Sequence, residues 1–153
     1  MRVNKIKIAL IVGLIVQMLW LPAEAVYLPV TSNFGWRIHP ITGEWKFHAG
    51  VDLGYEYGTQ VLALFDGVVL EAGDYFDGYG NQVLIYHRQI NSYTRYGHMS
   101  QVNVRVNQAV RRGEMIGRVG STGNSTGPHL HLEYIIPDGS GGYVYTDPLR
   151  LWN

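Results

Sequence analysis

Past residue 25 the hydrophobic positions of this chain fall in short runs, and no window sustains the 3.6-residue period of a helical face. Residues 61–64, 68–72, 82–87, 93–96, 115–119, 130–136 and 143–145 are rich in valine, isoleucine, leucine and tyrosine, which suit a pleated, half-buried surface. Turn-forming stretches separate them: Asp66-Gly67, residues 77–81, Arg112-Gly113, 124–128 and 137–142, where glycine, proline, asparagine and aspartate favour chain reversal. Only residues 147–151 offer a turn of helix, with Asp147 to cap it and Pro148 in the first helical position. Closely spaced strands without helical crossovers pair antiparallel. The expectation is a mostly β single domain of antiparallel sheets, packed as a sandwich or curled into an open barrel, with the site in loops at one open end.

The first 25 residues follow a different pattern. Arg2, Lys5 and Lys7 precede an apolar run over residues 8–21, followed by Pro22 and the small-residue site Ala23-Glu24-Ala25. This reads as a signal peptide (1–25) cleaved after Ala25, because the run is shorter than the roughly 20 apolar residues of a spanning helix and is interrupted by Gln17. The expected mature domain is 26–153, exported to the periplasm or cell wall without a lasting membrane anchor. The absence of cysteine excludes disulfides and a lipid anchor on an N-terminal cysteine, so stability falls to packing, hydrogen bonds and any bound metal. The whole chain balances 12 basic against 12 acidic groups, and loss of the leader leaves 9 against 11. Lys46 is then the only lysine, and with no basic stretch the chain is not expected to bind nucleic acid.

The chemistry concentrates in two segments, HAGVD (48–52) and HLH (129–131). In extended backbone, side chains alternate faces, so His48 and Asp52 point one way, and His129 and His131 share a face while Leu130 enters the core. A catalytic zinc takes three ligands from imidazole and carboxylate and keeps one open position, so four such groups leave one histidine for proton work. Taken singly, each is more often a hydrogen-bonded structural histidine. His98, in YGHMS at a strand end, stands where proton-transfer groups usually sit. His87 reads as an ordinary strand residue near an edge. His39, beside Pro40 in a turn, either contacts substrate or caps a loop.

The ordered series FGWR (34–37), HAGVDLG, GTQVLALFDGVV, YGNQVLIYH, YGHMS, IGRVGSTGNSTGPHLHLE and a late DP resembles the lysostaphin-type (LytM-like) zinc metallopeptidases over residues 32–149. The resemblance implies a barrel-sandwich-like domain that cuts peptide bonds of bacterial peptidoglycan with a bound Zn2+. It also implies that His48, Asp52 and His131 ligate the metal and that His98 and His129 are catalytic without ligating it. Gln60, Met99 and Leu132 depart from the family's usual proline, leucine and phenylalanine, none at a ligand position. His129 is the candidate to take the water proton and His98 to hydrogen-bond the oxyanion, although the residues leave that division open. Backbone carbonyls or Glu133 are the candidate partners of the ligating rings. Tyr75, Tyr79 and Tyr96 are candidates for a substrate groove.

Two other readings compete. A non-catalytic relative that binds wall or activates another hydrolase normally lacks ligands, whereas all five positions are filled here. GTQVLALFDGVV has the look of a lipoyl or biotinyl carrier half-barrel, but Lys46 lies outside that segment. Only residues 26–33 separate the predicted cleavage site from FGWR, so no self-inhibiting propeptide is expected.

Overall fold

Short apolar runs broken by turn residues produce strands and reversals throughout a computed structural model that describes residues 28–152. The expected signal peptide lies outside the described residues. The strands are β1 (Val30–Ser32), β2 (Gly35–Ile38), β3 (Trp45–His48), β4 (Val51–Leu53), β5 (Gln60–Leu62), β6 (Gly67–Asp74), β7 (Asn81–His87), β8 (Ser92–Val102), β9 (Ala109–Val110), β10 (Met115–Val119), β11 (Leu130–Pro137) and β12 (Tyr143–Thr146). Each of the seven expected runs holds a strand. The unforeseen ones are β1 to β4 and β9, which are short. Residues Pro148–Trp152 form a 3-10 turn in place of α-helix. Asp147 caps it as expected, accepting from the Leu149 N–H at 3.0 Å.

Every described pairing is antiparallel. The main sheet runs β1-β4-β11-β8-β7-β6-β9, with β12 beside β11 and β10 bridging β5 and β8. The path has two free ends, so the sheet folds into a sandwich-like double layer and does not close as a barrel. β2 and β3 pair only with each other, in the register Trp36↔Phe47, Arg37↔Lys46 and Ile38↔Trp45.

The long strand β8 forks the sheet. Its first half, Tyr93 to Gly97, pairs with β11, and its second half, Met99 to Val102, pairs with β10. His98 stands at the change of partner with a left-handed φ of 59°. Its N–H donates to the Tyr79 carbonyl at 2.7 Å, and the β7–β8 register shifts there. Such a bulge redirects a side chain out of the sheet plane.

Between the layers lie Val51, Val69, Val83, Ile85, Ile116 and Val119, all fully buried. Tyr96 is buried with them, its hydroxyl accepting from the Leu64 N–H at 3.0 Å, so it is a core residue and forms no part of a groove. His87 also differs from expectation. It lies on the buried face of β7, a strand flanked by β6 and β8, and is fully enclosed. Its Nδ1–H donates to the Asp66 carbonyl (3.0 Å) and its Nε2 meets the Thr94 hydroxyl (2.7 Å), a set complete when the ring is neutral. Burial therefore lowers its pKa below 6.5, against the pull of the Asp66 bond.

As pH falls below 6.5 the unfolded chain takes a proton at this site while the folded chain resists it, so stability drops with pH in that window. Thermal melts between pH 7 and pH 5 should show this decline, with a shallower slope in His87→Gln. An unchanged slope in the variant would remove His87 as the cause.

Candidate metal centre and catalytic cleft

The HAGVD segment is not one strand. His48 ends β3, Asp52 sits in the middle of β4, and the chain bends at Ala49-Gly50 between them. Asp52 and His131 are cross-strand neighbours in the β4–β11 ladder, which puts their side chains on one face. The bend brings His48 onto the same face. Gly50 permits this by its lack of a side chain: a Cβ there would lie 2.3 Å from the Leu132 carbonyl oxygen and 3.0 Å from Cε1 of His131.

Three donor atoms meet as a result. His48 Nε2 is 3.1 Å from Asp52 Oδ1 and 3.1 Å from His131 Nδ1, and His131 Nδ1 is 2.9 Å from Asp52 Oδ1. The outer nitrogen of each ring is committed elsewhere: His48 Nδ1–H donates to the Asn33 carbonyl (2.8 Å) and His131 Nε2–H to Glu133 Oε1 (3.2 Å). With protons held on the outside, both inner nitrogens carry lone pairs aimed at a carboxylate oxygen. That arrangement repels itself unless a cation, proton or metal, lies among the three. Donors about 2.0–2.1 Å from a tetrahedral zinc stand about 3.3 Å apart, so the triangle fits that ion with little adjustment.

The protonation preferences agree. Burial pushes the Asp52 carboxyl up, but hydrogen bonds from His131 and His48 and their charge outweigh it and hold it well below the usual carboxylate range. Burial pushes His131 down, and the bonds to Asp52 and Glu133 reverse this and raise it, which marks a cluster that demands positive charge.

Glu133 orients His131 and is itself fully buried. Its Oε1 also accepts from the Tyr79 hydroxyl at 2.5 Å, and Oε2 lies 3.2 Å from Arg95 Nε. The Arg95 contact lacks hydrogen-bond alignment, so it acts as an ion pair. Arg95 is anchored further by Glu71 (2.8 Å) and Gln82, and its guanidinium lies 5.0 Å from the Tyr79 ring centre. Of the candidate orienting partners, Glu133 serves the His131 ring and a backbone carbonyl the His48 ring.

His98 and His129 stand beside this cluster with ring centres 4.7 Å apart. Each donates Nδ1–H to a backbone carbonyl, His98 to Thr122 (2.8 Å) and His129 to Gly127 (2.9 Å). In the neutral rings both Nε2 atoms are therefore acceptors, and that of His129 is 3.6 Å from Asp52 Oδ1. Burial, reinforced by the charge of His129 and His131, lowers His98 to about 4 despite the Thr122 carbonyl and Asp52.

All five residues border a cleft of about 220 Å³. The β2–β3 hairpin forms one wall through Arg37, His39 and Lys46; residues 77–79 and 124–126 form the other. Tyr79 lines the cleft, whereas Tyr75 does not. Sequence reasoning gave Arg37 no role, yet its Nη2 lies 3.4 Å from Asp52 Oδ2, and its place in FGWR was the available signal. His39 both caps its loop, Nδ1 accepting from the Thr42 (3.2 Å) and Ile41 (3.4 Å) N–H groups, and borders the cleft.

The profile of peptidase family M23 matches residues 46–144. The chain belongs to peptidase family M23. Within this family it is 47% identical over 108 residues to the DD-carboxypeptidase/endopeptidase Mpg of Neisseria meningitidis serogroup B, covering 71% of this chain and 24% of that protein. It is 43% identical over 109 residues to the peptidoglycan DD-endopeptidase ShyC of Vibrio cholerae, covering 70% and 24%. This M23 chain thus spans about a quarter of the length of those curated relatives. Its fold is similar to the catalytic domain of the antimicrobial peptidase lysostaphin from Staphylococcus simulans, with a TM-score of 0.72 and 34% identity over 82% of this chain and 92% of that one. A zinc-containing peptidase from Vibrio cholerae gives a TM-score of 0.66 and 35% identity over 78% and 36%.

The close approach at Gly50 is testable by itself. Gly50→Ala should cost about 3 kcal/mol or more in chemical denaturation, because the added methyl meets backbone that cannot yield. A loss below about 1 kcal/mol would show that the bend has room to spare.

Proposed function

We propose that this chain is an exported zinc endopeptidase that hydrolyses peptide bonds of bacterial peptidoglycan, in cross-links or stem peptides. The observation that supports it is the convergence of three ligand-type atoms beside two further imidazoles in an open cleft. In this reading His48, Asp52 and His131 hold the metal, and His98 and His129 are the catalytic pair. The relatives named as peptidoglycan DD-endopeptidases supply the substrate class. Export is assigned to the leader, residues 1–25, which delivers domain 26–153 to the wall.

Bound zinc supplies a Lewis acid and lowers the pKa of a water to about 7. The protein's residues do the rest. Asn33 and Glu133 hold the two imidazole ligands by their outer nitrogens and fix which nitrogen faces inward. Amide hydrolysis needs a proton removed from the attacking water and one delivered to the departing amine. The Nε2 atoms of His129 and His98 are free to accept, so each must take a proton before it can give one. His129, nearer Asp52, takes the water proton and passes it on to the departing amine, and the bare Nε2 of His98 is the second acceptor through which that proton can move.

Purified wild type should bind one zinc per chain and clear suspensions of isolated cell wall. His131→Ala should lose both properties. His98→Ala and His129→Ala should retain zinc and lose about 10²–10⁴ in rate. Equal clearance by wild type and His131→Ala would sink the enzyme reading and favour a wall-binding or hydrolase-activating role. Glu133→Gln keeps the shape but removes the charge behind His131, so zinc affinity by competitive chelator titration should fall about 10–100-fold.

A further inference from the structure

The hairpin wall of the cleft carries two positive charges, of which Arg37 is paired with Asp52 and Lys46 with no described residue. Arg37 and Lys46 are directly opposed in the β2–β3 ladder, and both line the cleft, while Trp36, Ile38 and Trp45 are exposed on the hairpin's other face. Like charges opposite each other across an antiparallel pair repel, so this placement has a local cost. Arg37 is drawn toward Asp52 Oδ2, at 3.4 Å. Lys46, the only lysine past residue 25, makes no ion pair among the described residues. The next pair on this face is His39 and Glu44. His39 Nδ1 accepts from two backbone N–H groups, so the neutral ring carries its proton on Nε2 as a further donor. Glu44 forms no ion pair with either residue and does not line the cleft. Across the cleft, Asp77 is already engaged by Gln82 Nε2 through both carboxylate oxygens, at 2.9 and 2.7 Å.

We infer that Lys46, assisted by His39, forms a subsite for a free carboxylate that the substrate peptide carries within a residue of the scissile bond. Lys46 is then a specificity-determining residue. This rests on the hydrolytic reading above and adds to it a substrate class: an anionic peptide junction in place of a neutral glycyl bridge. The carboxylate has two possible sources, the residue that contributes the scissile nitrogen, if it keeps its own carboxyl, or the peptide's C-terminus.

The test uses three synthetic cross-linked peptide dimers: one with both carboxylates free, one amidated on the nitrogen-side residue, and one amidated at the C-terminus. Wild type should lose about fivefold in kcat/KM, through KM, on one amidated dimer and nothing on the other, which names the source. Lys46→Ala should erase that preference and Lys46→Arg should restore it. Lys46 is exposed, so the variant should fold, and a thermal melt checks this. Equal cleavage of all three dimers by wild type, or a preference that survives in Lys46→Ala, overturns the subsite and leaves the enzyme reading intact. If wild type cleaves none, the hydrolytic reading fails. Equilibrium binding of the same dimers then decides the subsite by the same fivefold difference.

Discussion

Three lone pairs aimed at one point set the terms for the rest of the molecule. Neither His48 nor His131 can face Asp52 with its nitrogen bare unless something holds its proton on the far side. For His48 that is the Asn33 carbonyl, and for His131 it is the buried carboxylate of Glu133. A carboxylate removed from water needs a counter-charge. Arg95 supplies it, and is itself held by Glu71 and Gln82, while Gln82 is tied to Asp77 in the loop that leads to Tyr79. Tyr79 closes the circuit on Glu133. Gln82 of β7, Arg95 of β8 and Glu133 of β11 thus trace one path from the cluster into the sheet, separate from the buried His87–Thr94 pair.

The fork in β8 does a second job for the same centre. One strand cannot pair with β11 and β10 on the same edge without a break, and the break falls at His98. The left-handed backbone there is a conformation in which histidine is found more often than most side chains, though still at some cost. What the cost obtains is direction: the ring leaves the sheet plane, finds the Thr122 carbonyl, and comes within 4.7 Å of His129. The bridge between Gly120 and His129 ties β10 to the start of β11 at the same place. Two imidazoles from distant parts of the sequence are therefore set side by side by sheet topology, and the loop between β10 and β11 fixes both rings through the Thr122 and Gly127 carbonyls.

Much of this was legible in the residues, for reasons that differ by region. The seven β-rich runs sit in the main sheet, where burial on one face imposes alternation that composition betrays. The hairpin strands β2 and β3 lack that signal, since their tryptophans and Ile38 are exposed and their other face is basic. HLH follows the period of two as read. HAGVD reaches the same outcome by a different route, a bend between two strands, because the close approach that Gly50 allows is a tertiary fact no local pattern encodes. His87 is buried rather than near an edge because β7 is flanked by β6 and β8, a placement that no local pattern encodes. Its partners, a carbonyl and a threonine hydroxyl, are far apart in sequence. Arg37 and Lys46 drew no functional attention for the same reason: opposed charge across a hairpin exists only once register is known.

The hairpin also shows why the His48–Asp52–His131 cluster and the cleft wall cannot be independent. An isolated two-stranded hairpin is marginal in water, and β2–β3 pairs with no other described strand. Its attachments include the contact of Phe34 with Phe47 at 5.1 Å between ring centres, the Arg37–Asp52 ion pair, and His48, which ends β3 inside the cluster. Two of these three converge on Asp52. Whatever cation satisfies the lone pairs of His48, Asp52 and His131 therefore also fastens β3 and β4 to β11, and through β3 it fixes the wall on which Lys46 and His39 stand. In a chain without a disulfide, the charge that satisfies this cluster is the same charge that gives the cleft its shape.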